Sequence, residues 1–407
     1  MKIRSITAFV NPGWPPDEAV LDQAAEAVTQ ARTVLEAAGY EVQTTRLATS
    51  PFPQLVAGEG EAAAVELAQS LEAEATRRNF GYISLGPAFP EQPASYAHIP
   101  AMLAATQNAF FGGGMTTADG AIATQAVRAC AAIIQAAADL EPNGFANLRF
   151  AALANVPGGS PFFPAAYHAG GSPRFALATQ AADLAVEAFT AAATVDEGST
   201  RLTAAIQEHG ARLAELMDPV ARQHKVAFGG IDFSLAPFPA EAESLGTAFE
   251  RMGVPQVGLH GSLAAAAILT HAIDRADFPR AGFNGLLLPP LEDATLAQRA
   301  AEGTLTINDL LIYSAVCGTG LDTIPLPGDT RAEQLAALLL DVAALALRLD
   351  KPLTARLMPI PGANAGDETH FDFDFFANSR VMAIKAGALS GSLYADQSIP
   401  LKPRIRE

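Results

Sequence analysis

The chain has 407 residues, half of them hydrophobic and 17% charged, with a formal net charge of −17. Such an acidic surface repels phosphate backbones and anionic headgroups, which excludes nucleic acid and membrane surfaces as partners. Only two cysteines occur, Cys130 and Cys317, too far apart for a disulfide framework or a metal-type pair, as in a reducing cytosol.

The opening Met1-Lys2-Ile3-Arg4-Ser5-Ile6 lacks the apolar stretch and cleavage site of a signal peptide, so a cytoplasmic protein is expected. Helical spacing over 17–38 ends at Gly39, and 42–47 reads as a strand. A helix over 61–78 precedes a buried strand over 81–86. Helices follow at 99–108 and 120–139, with Gly112-Gly113-Gly114 between them as a weak candidate anion cradle. Further strands are predicted at 150–155, 226–233, 256–260, 286–288, 321–326 and 353–360. Helices fill the gaps at 201–223, 241–252, 263–273, 307–317 and 331–349. The apolar run 335–349 is broken by Asp341 and Arg348 and is too short to span a bilayer.

Alternating β and α units imply parallel strands joined by right-handed crossovers. No linker separates two domains, so residues 1–407 read as one α/β unit, with 158–171 as a site-sized loop. A closed barrel and an open doubly wound sheet both fit the pattern. The number of units and the missing dinucleotide fingerprint favour the barrel. No Walker loop, HExxH, paired CxxC or GxSxG is present.

Functional side chains in such folds gather at strand ends, and five places there carry unusual residues. In Ile231-Asp232-Phe233-Ser234, Asp232 either caps a turn or serves as metal ligand or general base. In Gly258-Leu259-His260-Gly261-Ser262, a strand delivers a histidine, and Gly261 and Ser262 stand where N–H groups would face an anion. In Cys317-Gly318-Thr319-Gly320-Leu321-Asp322-Thr323, Cys317 is a buried small hydrophobe or a nucleophile, and Asp322 an orienting carboxylate. Asn155 and His168 flank the long loop. The alternation Asp367-Glu368-Thr369-His370-Phe371-Asp372-Phe373-Asp374 reads as a half-exposed strand.

The expected catalytic set is therefore Asp232, His260, Asp322 and Cys317. Asn155, His168, Ser234, Gly261, Ser262 and Thr323 would bind substrate, and Asp232, His260 and Asp322 would hold any divalent metal. The expected activity is that of a non-radical enzyme, hydrolase or lyase, acting on a small polar or anionic metabolite. A non-catalytic ligand-binding or regulatory protein is the alternative. Alanine-rich outer helices also suit a homo-oligomer.

Asp232-Phe233-Ser234-Leu235-Ala236-Pro237, Gly258-Leu259-His260-Gly261, Cys317-Gly318-Thr319-Gly320-Leu321-Asp322 and Pro327-Gly328-Asp329-Thr330 together resemble domain-of-unknown-function family 711, or uncharacterised protein family 0210. Leu153-Ala154-Asn155 and His168-Ala169-Gly170 extend the likeness. The resemblance implies a ten-stranded α/β barrel like that of pyruvate formate-lyase, and a small ACT-domain protein as partner. The chain departs from the family pattern at Ser172, where an acid is usual, and at Phe371-Asp372-Phe373-Asp374-Phe375-Phe376, where glycines are usual. Its tail, Leu389-Ser390-Gly391-Ser392-Leu393-Tyr394, lacks the radical-bearing motif, so no glycyl radical is expected.

Overall fold

Apolar strands and alanine-rich amphipathic helices alternate through the computed structural model, which describes residues 1–404. The strands are β1 (Lys2–Val10), β2 (Val42–Thr49), β3 (Tyr82–Ala88), β4 (Ala109–Gly114), β5 (Ala121–Ala123), β6 (Phe150–Ala154), β7 (Arg174–Gln180), β8 (Ala227–Asp232), β9 (Gly320–Pro327), β10 (Leu353–Ile360) and β11 (Ser398–Pro400). Nine of them form one sheet in the order β8-β7-β1-β2-β3-β4-β6-β10-β9, while β5 and β11 pair separately. The five central strands run parallel. At one edge β7 reverses against β1 and carries β8 alongside it. At the other, β10 reverses against β6 and carries β9.

The sheet is mixed and mostly parallel, and it is not the closed ten-stranded barrel expected from the sequence. Among the described residues no ladder joins its edges β8 and β9. The intervening chain, 279–288, meets β8 and the residues just after it at points: Ile231 N–H donates to Pro279 O (2.8 Å), Ala281 N–H to Ile231 O (3.0 Å) and Leu235 N–H to Gly285 O (2.9 Å). Toward β9 it is held by the Thr319 hydroxyl, which donates to Leu286 O (2.6 Å). Pro279, Gly282 and Gly285 interrupt this segment, so continuous pairing fails and the strand expected at 286–288 shrinks to one bridge with Leu235. The strand expected at 256–260 is a turn, bent at Gly258 with φ +104°.

Three strands of the main sheet went unforeseen, β1, β4 and β7, as did the small pair β5 and β11. In β4 the triple glycine is neither loop nor cradle, because its residues lie within the sheet. A Cβ on Gly112 would come within 2.8 Å of Leu153, and one on Gly113 within 2.5 Å of Cys130 Sγ. Glycine is what allows β4 to lie this close to its neighbours. Gly113→Ala is expected to destabilise the fold by roughly 1–3 kcal/mol through overpacking. Combining it with Cys130→Ala should recover part of that loss. Urea unfolding of the two single variants and the double variant checks this, and strict additivity would contradict it.

Alternation along the strands separates two faces. Ile6, Ala8, Leu47, Ile83, Phe111, Leu353 and Leu357 pack with helical residues such as Leu21, Leu67, Ile134 and Leu339 in the main core. The helix Ala332–Leu349 carries the apolar run 335–349, and among the described residues no helix is long and apolar enough to cross a membrane. The opposite face holds only small clusters. Phe9, Phe110 and Phe163 form one; Leu153, Phe162 and Phe283 another; Met358, Ile360, Phe371 and Phe376 a third. Between these islands lie charged groups.

Candidate functional site

The inner face gathers arginine from three strands. Arg4 comes from β1, Arg46 from β2 and Arg356 from β10, while Asp322 lies on β9 and Glu292 on the loop after 279–288. The neighbours Leu47, Ala355 and Leu357 face the helices, so the period of two turns Arg46 and Arg356 inward. The Asp322–Arg356 pairing depends on a register shift: Ala355 pairs with Leu321 but Leu357 with Ile324. Two residues of β9, Asp322 and Thr323, thus oppose Arg356 alone, and such a bulge re-aims a side chain.

The charges form a chain of contacts. Arg356 donates through Nε to Asp322 Oδ1 (2.6 Å) and through Nη2 to Glu292 Oε1 (2.8 Å). Arg4 Nη2 donates to the other oxygen of Glu292 (2.5 Å). The side chains of Glu292 and Arg356 are each 5% exposed, and that of Asp322 is fully buried. Arg46 stands apart. Its Nε donates to Thr44 Oγ1 (2.9 Å), and its guanidinium lies 5.1 Å from the Phe163 ring centre and 5.7 Å from that of Tyr82. Among the described residues no carboxylate pairs with it. Three cations face two carboxylates, leaving one positive charge in excess.

Acidities follow this layout. Burial, with Arg4 nearby, pushes the Arg46 guanidinium down to about 9, still protonated at neutral pH. Burial would raise Glu292, but Arg4 and Arg356 outweigh it and hold its carboxyl below the usual range. Burial wins at Asp322, whose carboxyl is pushed up against the pull of Arg356. Arg356 is itself raised: its burial is outweighed by Asp322 and Glu292.

Arg4, Arg46, Glu292 and Arg356 line a narrow cleft. Gln43 and Thr44 add polar wall, and Tyr82, Phe110, Phe162, Phe163, Phe373 and Phe375 supply aromatic wall. Asp322 sits behind Arg356 rather than on the lining. Phe373 and Phe375 come from the strap 366–381. This segment is not the strand expected there, but its alternation is real, with Phe371 buried and Asp372 and Asp374 exposed. The strap closes on itself through Thr369 N–H to Ser379 O (2.9 Å) and Val381 N–H to Asp367 O (2.9 Å).

The structure disperses the residues expected from the sequence. Among the described residues, no three of His, Cys, Asp and Glu are grouped to hold a metal ion, so Asp232, His260 and Asp322 do not converge. Asp232 is a buried staple: it accepts from the backbone N–H groups of Phe283 (2.9 Å), Asn284 (3.0 Å) and Ser234 (3.2 Å), and from the Ser234 hydroxyl (2.6 Å). Ser234 Oγ accepts in turn from Gly285 N–H (3.1 Å). Both residues fasten 282–285 to β8. His260 is exposed in the turn bounded by Gly258 and Gly261, away from the cleft lining. The Ser262 hydroxyl closes that turn on itself, donating to Leu259 O (2.8 Å) and accepting from Gly258 N–H (3.1 Å).

Cys317 is buried, which pushes its thiol up although Lys351 pulls the other way. The Lys351 ammonium donates to the Cys317 carbonyl. Thr323 is buried beside Asp322 with φ +43°, and neither its hydroxyl nor Asp322 Oδ2 has a partner. Asn155 belongs to a different cavity, beside Thr116 and Tyr167. His168 is buried, which lowers its pKa and favours a neutral ring facing Gly171 O (3.3 Å). Of the expected set, only Asp322 joins the charged cluster. Arg4, Arg46, Glu292 and Arg356 were missed, although an arginine in the middle of an apolar strand, as in Leu353–Ile360, was legible as a signal.

Fold and site together define the class: a mixed α/β protein with an open nine-stranded sheet and an arginine–carboxylate cluster enclosed on its inner face. The chain belongs to the family described as "Uncharacterised ACR (DUF711)", whose profile matches residues 1–378. A UPF0210 protein of Pyrobaculum arsenaticum is 36% identical over 353 residues, covering 83% of this chain and 78% of its own. UPF0210 proteins of Acetivibrio thermocellus (27% over 349 residues; 82% and 77% covered) and Neisseria meningitidis (26% over 378 residues; 89% and 83% covered) are also similar. The family read from the strand-end motifs is thereby established.

Proposed function

We propose that the inner cleft binds a small organic anion. The observation that carries this is Arg46, a cation without a carboxylate partner, partly open to an aromatic-walled cleft. An uncompensated charge is costly in such surroundings unless an anion completes it. Arg356 is held by Asp322 and Glu292 and Arg4 is tied to Glu292, which leaves Arg46 as the arginine of the cleft without a carboxylate. In this reading 279–288 takes the place of a tenth strand, narrowing the gap between β8 and β9.

Arg46→Gln tests the proposal. Anion affinity should fall roughly 10- to 100-fold, since hydrogen bonds to a charged group are worth about 1.5–3 kcal/mol. The variant should melt no lower than the native protein, because an unpaired charge has been removed. Isothermal titration and thermal melts read the two effects. Retained affinity in the variant overturns the proposal.

Turnover of the bound anion, by hydrolase or lyase chemistry, is the second reading. Glu292 favours it: a carboxylate held ionised on the wall of the same cleft is placed to accept a proton. New products seen by NMR with native protein but not with Glu292→Gln would support turnover. Binding without product would leave a ligand-binding or regulatory role.

A further inference from the structure

Resting on the anion-binding reading, we infer that the cleft selects a hydrophobic monocarboxylate, gripped at one end by Arg46 and sheathed by aromatic rings along its body. The charge count sets the valence. Three guanidiniums against Glu292 and Asp322 leave room for one negative charge, and Glu292 on the same wall repels a second.

The donor geometry sets the head group. Arg46 commits Nε to Thr44, while neither terminal nitrogen has a hydrogen-bond partner among the described residues. Two parallel N–H groups of one planar fork match the two oxygens of a carboxylate. Arg356 is engaged through Nε with Asp322, Nη2 with Glu292 and Nη1 with Leu148 O, and Arg4 gives one terminal nitrogen to Glu292, so of the three only Arg46 presents both terminal nitrogens unengaged.

The walls set the body. Phe110 stands edge-on to both Tyr82 (5.2 Å between ring centres) and Phe163 (5.4 Å), and these rings flank Arg46. The strap brings Phe373 and Phe375 to the same cleft, 5.3 Å apart. A ligand with an apolar or aromatic body buries against these faces, whereas a sugar or polyol would leave its hydroxyls unpaired.

Titration calorimetry with phenylacetate, acetate, phenylacetamide, phenyl phosphate and phenylmalonate tests the assignment on native protein, Arg46→Gln and Phe373→Ala. Phenylacetate should bind about tenfold or more tightly than acetate or either dianion, the amide should not bind, and Arg46→Gln should abolish the preference. Phe373→Ala should weaken phenylacetate by about tenfold and leave acetate unchanged. Preference for phenyl phosphate or phenylmalonate, still dependent on Arg46, would overturn the monocarboxylate assignment and leave the anion site standing. Binding indifferent to Arg46, or no binding of any of the five, would overturn both.

Discussion

Arg356→Met should destabilise the protein by about 3–5 kcal/mol at neutral pH, because it strands two buried carboxylates rather than one. Asp322 loses its one charged partner, and Glu292 keeps only Arg4. The loss should shrink on acidification. In the native protein Glu292 lies below its ordinary 4.5, so its stabilising contribution is present above that value and fades as pH falls through its lowered folded value. Asp322 is raised above 3.8, so the cost of its charge is absent below that value and grows as pH rises through its folded value. Without Arg356 both carboxyls move upward, and mild acid lets them protonate in place. Urea unfolding at neutral pH and near pH 5 should therefore show a smaller difference between native and variant in acid. A difference constant with pH would mean that lost packing, not lost charge, carries the effect. Replacing Asp322 by leucine as well should restore part of the stability, since breaking a buried pair costs more than removing it whole.

Asp232→Ala should cost about 3–5 kcal/mol, for a different reason. Its carboxylate collects three backbone N–H groups and one hydroxyl, and removing it leaves these donors buried without an acceptor. The affected chain, 279–288, runs between the sheet edges and leads to Glu292. Asp232→Asn keeps one acceptor oxygen and should fall between the native protein and the alanine variant. Neither variant touches the cleft lining, so molecules that remain folded should bind anions as before. Calorimetric melts together with titrations check both halves. A large loss of affinity with little loss of stability would return Asp232 to the role of ligand or base first read from the sequence.

The sequence was most legible where a short, mostly apolar run lies between two helical stretches. Leu353–Ile360 was read with its bounds, and Gly320–Pro327 and Ala227–Asp232 within one or two residues. Legibility failed where packing overrides local preference. The glycines of Ala109–Gly114 look like a loop until Cys130, Leu153 and Phe89 crowd them. The site was harder to read for a geometric reason. Attention to strand ends found Asp322 and Asp232, but the recognition groups stand in mid-strand, where a charge has meaning only once the enclosed face is known. His260 had the placement of a functional residue, before a helix and between glycines, yet those glycines serve the turn's backbone.

The position of β1 has a consequence for how the molecule comes together. Strand β1 precedes the other strands of the sheet in the chain, yet it lies in the sheet's interior between β2 and β7, and its Arg4 meets Glu292 across 288 residues. Arg46 and Arg4 are thus made long before the carboxylates and aromatic strap that enclose them. An early N-terminal half would have to bury cations with nothing to balance them, which favours keeping that face hydrated until Glu292, Asp322 and Arg356 have emerged. Distant contacts of this kind slow folding and make it concerted. The order of synthesis thereby makes the cleft one of the last features to form, and the strap, emerging later still, covers it from outside.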